Sequence, residues 1–254
     1  MPLYTADALV LRTYTLGEAD RIVVFLTSDR GKRRGVAKNA RRSRRRFGGA
    51  LEPLTRGEVA YVERERRDLV FLNYVEPRRS PLAGRQADGP GYASYFAELI
   101  DEWAPEADPN ERLYRLGASA VDAIADGVPL EPLARYFEYW LLRLQGVYPA
   151  HGICRACGRT LDDIESGVRL VVAEHVFLCA RCDVGRPDRG GVTLSGGALA
   201  FLRLARTAPP AALGEVAWPA SVLRELEEVH RTLIVMHLDR EPKSIRVLKE
   251  LHRA

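Results

Sequence analysis

The chain has no stretch approaching 18 uncharged apolar residues, which argues against a membrane-spanning helix. Nothing in it repeats with the strict period of a collagen or a solenoid. With 46% hydrophobic and 28% charged residues among 254, it is not the composition of a wholly disordered protein. Its first seven residues, Met-Pro-Leu-Tyr-Thr-Ala-Asp, lack the basic start and apolar run of a secretory signal, so a cytoplasmic protein is expected. The catalytic fingerprints G-x-x-x-x-G-K-[ST], G-x-G-x-x-G, G-x-S-x-G and H-E-x-x-H are all missing, and no enzyme of those classes is expected. One fragment, Asp239-Arg-Glu241-Pro-Lys243, has the acidic-x-Lys form of two-metal nucleases. Such carboxylates usually sit on a strand, whereas these fall at a helix end beside Pro242, and Lys243, Arg246 and Lys249 read more simply as a basic tail.

Lysine is scarce as well, supplying four of the 38 basic residues, and the rest are arginine. A GC-rich coding sequence accounts for most of that ratio, though not for where the charges fall. Residues 1–81 carry a net charge of +8 and residues 82–254 a net of −4. A basic first third on an acidic remainder points to polyanion binding by that third. The charge concentrates in residues 30–46, where ten of 17 are Lys or Arg and none is acidic. A surface built only for solubility mixes signs, and a single-sign block repels itself unless something anionic meets it. Phosphate backbone does so, through bidentate arginine contacts and counterion release. The DNA-binding candidates are Lys32, Arg33, Arg34, Lys38, Arg41, Arg42, Arg44, Arg45 and Arg46. An acidic protein, a lipid headgroup or a merely solvated loop are the competing readings of the same block.

Cysteine occurs four times, all within 29 residues, as Cys154, Cys157, Cys179 and Cys182. The spacing is C-x2-C, 21 residues, C-x2-C, and in a cytosolic protein it reads as a metal site before it reads as disulfides. Each pair reaches one ion from a tight turn, and residues 167–173 and 175–178 read as a hairpin returning the second pair to the first. Four soft thiolates suit one structural Zn²⁺ and leave no open coordination position for catalysis. His151 and His175 are read as surface or packing residues.

Residues 1–80 read as a compact β-domain. Strands are expected at 4–11, 20–27, 35–37, 58–63 and 69–76, with a hairpin turn at 28–31. Five short strands in this length suggest an OB-like barrel, with an SH3-like barrel fitting nearly as well. Tyr14, Phe47, Tyr61 and Tyr74 are candidate base-stacking residues. Ser80-Pro81 and the Gly/Pro-rich stretch 84–91 mark the domain boundary. Residues 81–254 read as helical, with helices near 92–103, 110–126, 131–146, 196–205 and 219–238, interrupted by the cysteine module at about 150–190. The fold class expected is therefore α+β, a five-stranded OB-fold barrel followed by a mostly α-helical domain with a Cys₄ zinc-finger-like insertion.

Several segments resemble a known family. Leu9-Val-Leu-Arg12, Gly17-Glu-Ala-Asp-Arg21, Val36-Ala-Lys38 and Arg45-Arg-Phe-Gly-Gly-Ala-Leu-Glu-Pro53 are similar to the N-terminal half of RecO, a family of bacterial recombination mediators; His237-Leu-Asp-Arg240 with Lys243-Ser244 resembles its C-terminal part. The resemblance runs in order along the chain and includes the place of the cysteine module. It implies an OB-fold and a helical domain, binding of single- and double-stranded DNA, annealing of complementary strands, and no use of ATP. It also implies partners: RecR, often RecF, the acidic tail of the single-strand-binding protein, and RecA, loaded onto DNA coated by that protein. A nucleoid-associated location follows. Arg135, Arg143 and Arg203 are possible rim residues for the acidic tail. A zinc-containing adaptor that docks an acidic partner, and more remotely a metal-dependent nuclease, are the alternatives.

Overall fold

The computed structural model describes residues 2–42, 47–63, 69–149, 153–161, 167–184 and 191–251. Five strands come first: β1 (Leu3–Leu16), β2 (Asp20–Thr27), β3 (Gly31–Ala37), β4 (Arg56–Val62) and β5 (Val70–Arg79). They close into a barrel in the order β1-β2-β3-β5-β4, with β3 and β5 parallel and the remaining pairs antiparallel. That five-stranded closure is the OB-fold arrangement. Inward residues alternate along the strands: Ala6, Ala8 and Val10 on β1, Val23 and Phe25 on β2, Val59 and Tyr61 on β4, and Val70, Leu72 and Val75 on β5. Phe47, Ala50 and Leu51 join the same cluster. Fully burying each Val, Leu or Phe among them contributes about 1.5–3 kcal/mol.

β1 and β3 are much longer than their composition suggests. β1 runs on to Leu16, with a register shift between Val10 and Arg12 that lets one strand pair with both β2 and β4. β3 starts at Gly31 rather than at residue 35, so Lys32, Arg33 and Arg34 are ladder residues paired with Leu26, Phe25 and Val24. Thr27 fixes the turn before it. Its hydroxyl accepts the Arg30 N–H at 2.9 Å and donates to the Gly31 carbonyl at 2.9 Å. Gly31 has φ of +72°, and a Cβ there would collide with the backbone of Asp108.

The helices are α1 (Gly89–Trp103), α2 (Glu111–Ala125), α3 (Leu130–Leu144), a short α4 (Ala180–Asp183), α5 (Gly196–Thr207), α6 (Ala220–Leu238) and α7 (Ser244–Leu251). Asn110, the last residue of the Asp108-Pro109-Asn110 segment, caps α2, its side chain accepting the Leu113 N–H at 3.0 Å. Ser195 caps α5 in the same way at 3.3 Å. Residues 243–249, expected as a basic tail, belong largely to α7, which buries Ile245 and Leu248. Its N-terminus is held by Glu98 of α1, whose carboxylate accepts the N–H groups of Lys243 at 3.0 Å and Ser244 at 2.8 Å, and the Ser244 hydroxyl.

The chain forms two compact units, Met1–Leu130 with Pro242–Ala254, and Glu131–Glu241. The first joins the barrel to α1, α2 and α7. The second holds α3, α5, α6 and a three-stranded sheet of order β7-β6-β8, made of β6 (Val168–Val171), β7 (Val176–Cys179) and β8 (Gly191–Leu194). β6 and β7 are the expected hairpin. β8 was not expected, because its four residues carry too little pattern to stand out. Among the described residues, no helix is long and apolar enough to cross a membrane.

Candidate nucleic-acid interface and metal centre

The basic segment divides by position. Lys32, Arg33 and Arg34 lie on β3 and meet carboxylates of their own unit. Lys32 Nζ contacts Asp101 Oδ1 at 3.2 Å and donates to the Asp101 carbonyl at 2.6 Å, with its side chain only 12% exposed. Arg33 pairs with Glu63 at 3.5 Å and Arg34 with Glu106 at 2.9 Å. These carboxylates are remote in sequence, so their nearness to the basic block had no signal in the chain.

Lys38, Arg41 and Arg42 are exposed on the turn after β3. The Asp20 carboxylate accepts the Asn39 N–H at 2.8 Å, with Asn39 in the left-handed region at φ of +56°. The Ala19 carbonyl accepts the Arg41 N–H at 3.0 Å, and Arg41 Nη1 donates to the Glu18 carbonyl at 3.1 Å. The Gly-Glu-Ala-Asp-Arg segment is thus the seat on which the basic turn rests. Within it the Asp20 carboxylate serves a backbone donor of that turn. Arg44, Arg45 and Arg46 lie outside the described residues.

Of the four aromatic candidates, Phe47 and Tyr61 are core residues, 2% and 0% exposed, and this corrects their reading as stacking platforms. Tyr61 sits among Tyr4 and Phe25 inside the barrel, since an inward position on β4 outweighs the polar hydroxyl. Tyr14 and Tyr74 are on the surface, 45% and 37% exposed. Arg135, expected at a rim, is buried and pairs with Glu138 at 3.3 Å. It belongs to a polar group in the second unit, where Glu138 also meets His230 Nδ1 at 3.0 Å and the rings of Tyr148 and His230 pack edge to face. Burial, resisted by Glu138, keeps the His230 pKa below its ordinary value.

The four cysteines converge. All four Sγ atoms lie within 4.8 Å of one another, the one such cluster of metal-ligating side chains among the described residues. The Cys157 and Cys179 sulfurs are 3.8 Å apart. Metal–sulfur bonds of about 2.3 Å in a tetrahedron give an edge of about 3.8 Å, so the donor set and its spacing fit a four-coordinate ion such as zinc. The first knuckle is a tight loop: Cys154 N–H donates to Arg159 at 2.8 Å, Gly158 N–H to Cys154 at 2.9 Å, and Gly158 takes φ of +69°. Arg155 N–H ties it to Phe177 of β7 at 3.1 Å. Cys179 ends β7 and precedes α4, whose first turn carries Cys182 back. Burial raises the Cys154 thiol pKa, but N–H groups of Cys179, Cys157 and Ala156 aimed at its sulfur outweigh that and bring it down to about 6. Asp239 and Glu241 form no comparable cluster; Asp239 is the left-handed residue ending α6.

Two family models match end to end, Recombination protein O N terminal over residues 1–81 and Recombination protein O C terminal over residues 88–246. The chain belongs to the RecO family. It is 34% identical over 251 residues to the DNA repair protein RecO of Koribacter versatilis, covering 98% of this chain and 99% of that one. It is 38% identical over 246 residues to the DNA repair protein RecO of Anaeromyxobacter sp. (strain K), covering 96% and 94%, and 34% identical over 251 residues to that of Geobacter metallireducens, covering 96% of each. The chain is therefore a RecO-family DNA repair and recombination protein.

Proposed function

We propose that this protein binds single- and double-stranded DNA with little sequence preference, anneals complementary strands and, with RecR and RecF, helps load RecA onto DNA coated by single-strand-binding protein. The observation that carries the reading is the basic turn, in which Lys38, Arg41 and Arg42 project from a seat formed by residues 18–20. Arg44, Arg45 and Arg46 extend the same run of sequence. Lys32, Arg33 and Arg34, already opposite carboxylates, contribute to the local field more than to direct contacts. Exposed cations without a recognition helix bind phosphate, which is common to every sequence. The same charge screens repulsion between two strands and raises their local concentration, the physical requirement of annealing.

Zinc is the ion proposed for the Cys154, Cys157, Cys179 and Cys182 cluster, in a structural role. Four thiolates close the coordination sphere, and the ion would join the first knuckle to the end of β7. The acidic remainder of the chain is left for protein partners, RecR and the acidic tail of the single-strand-binding protein among them. A salt titration of binding to single-stranded DNA tests the reading: affinity that falls steeply as salt rises supports it, and no affinity at low salt refutes it.

A further inference from the structure

The outer face of the barrel holds a feature that phosphate binding does not use. On β1, β2 and β3 the outward positions form cross-strand rows, Arg12 opposite Val24 opposite Arg34, and Tyr14 opposite Ile22 opposite Val36. Tyr14 is 45% exposed there. Beside it opens a cavity of about 540 Å³, lined by the apolar Ile22, Val24 and Leu69, by Tyr14, and by the charged Arg34, Asp101 and Glu106. That size is within the range of small-ligand sites. Its carboxylates are charge-compensated, Glu106 by Arg34 at 2.9 Å and Asp101 by Arg12 and Lys32, each at 3.2 Å. A carboxylate has about four lone-pair sites, so both retain acceptor capacity beyond these pairs.

We infer that this cavity takes one unstacked nucleobase bearing an exocyclic amine, such as cytosine, and so gives an otherwise sequence-neutral binder a mild base preference. The inference rests on the DNA-binding reading above. Three observations support it. An exposed tyrosine ring on a barrel face is a stacking surface for any base. A carboxylate at the rim accepts from the 4-amino group of cytosine, whereas the 4-oxo group of uracil or thymine offers it a second acceptor. The position also suits a strand held by the basic turn, because Ile22, opposite Tyr14, is two residues along β2 from Asp20, a distance of about 7 Å. Phosphates on Lys38, Arg41 and Arg42 would therefore leave a neighbouring base within reach of Tyr14.

The test uses the full chain and oligomers of deoxycytidine and deoxyuridine of about 20 nucleotides at neutral pH. The expected result is a several-fold preference for the cytosine oligomer. Tyr14→Ala should weaken binding of both by about tenfold while leaving the salt slope unchanged, and Tyr14→Phe should restore it. Glu106→Gln should abolish the cytosine preference without lowering overall affinity, since the amide oxygen accepts from the 4-amino group of cytosine and the amide N–H donates to the 4-oxo group of uracil. Ultraviolet cross-linking of a 5-iodocytosine oligomer should label Tyr14. Binding with a normal salt slope but equal affinity for the two oligomers, or Tyr14→Ala behaving as the parent, overturns this inference alone. No binding to either oligomer at low salt overturns the DNA-binding reading and this inference with it.

Discussion

The Asp20 carboxylate accepts the backbone N–H of Asn39 at 2.8 Å, tying the start of β2 to the turn after β3. Asn39 is left-handed, with φ of +56°, a conformation Asn tolerates better than most residues. An acidic side chain beside a cationic surface ordinarily opposes phosphate binding. Here it orients the residues that make that surface. Asp20→Ala raises the net charge by one and should nevertheless weaken DNA binding by several-fold, as the turn loses its anchor. Asp20→Asn, which keeps an acceptor, should lie closer to the parent. Fluorescence anisotropy with a labelled single strand distinguishes this from a purely Coulombic role, in which both substitutions would strengthen binding.

The division of the basic segment predicts different effects for its two halves. Replacing Lys38, Arg41 and Arg42 by Ala should reduce the magnitude of the log K against log salt slope on single strands by about 2, at roughly 0.7 per phosphate contact, and weaken binding to all sequences alike. Stability should barely change, because these side chains are exposed. Lys32→Ala should do the reverse. It removes one of the two cations that share the largely buried Asp101 carboxylate, the other being Arg12, so the thermal midpoint should fall while the salt slope stays nearly constant.

For the cysteine cluster, the purified, reduced protein should carry about one zinc ion per chain. Cys154→Ser should lower the zinc content and the melting temperature, because Cys154 is buried and its sulfur receives the Cys179 N–H at 3.4 Å. A strong chelator should have the same effect on the parent. DNA affinity should survive both treatments, since the basic turn belongs to the other compact unit. Metal analysis alongside calorimetry and anisotropy checks all four statements.

The Glu98 pKa is lowered. Burial works to raise it, but the hydroxyl and N–H of Ser244 and the N–H of Lys243 together prevail by stabilising the charged form. A carboxylate with a depressed folded value stabilises the fold above its unfolded pKa of about 4.3 and loses that contribution as pH falls through the folded value. Glu98→Ala should cost about 1–2 kcal/mol at neutral pH, the loss of an N-terminal cap, and the gap between variant and parent should narrow below about pH 4. Thermal melts across that range measure it.

His230 gives a second pH limb with the same direction. Its folded pKa lies below the ordinary value chiefly because of burial, so the unfolded chain takes up a proton first as pH falls below about 6.5. Stability should decline from there downward, and His230→Gln should flatten that part of the profile while remaining able to hydrogen-bond Glu138.

Much of this molecule was legible in its residues. The strand expected at 20–27 is β2, the helix expected from residue 110 is α2, and the two C-x2-C pairs bring four thiols together. Each is a local rule, in which spacing along the chain becomes spacing in space. The elements missed were those with weak local pattern. β8 has four residues, and α7 was hidden by its charges although Ile245 and Leu248 are buried.

What the sequence by itself determined was the presence of a cationic segment, four thiols in ligating register and apolar patterns for a barrel and helices. Tertiary structure decided which cations keep their charge for a partner. Asp101 and Glu106 follow Lys32 and Arg34 by some 70 residues, yet they pair with them, while Lys38, Arg41 and Arg42 stay exposed. It also decided that Tyr61 is core and Tyr14 surface, although both are tyrosines on strands of the same barrel. Charge and aromaticity are properties of a residue, whereas exposure and pairing depend on which distant segment the closed barrel and its helices bring alongside it.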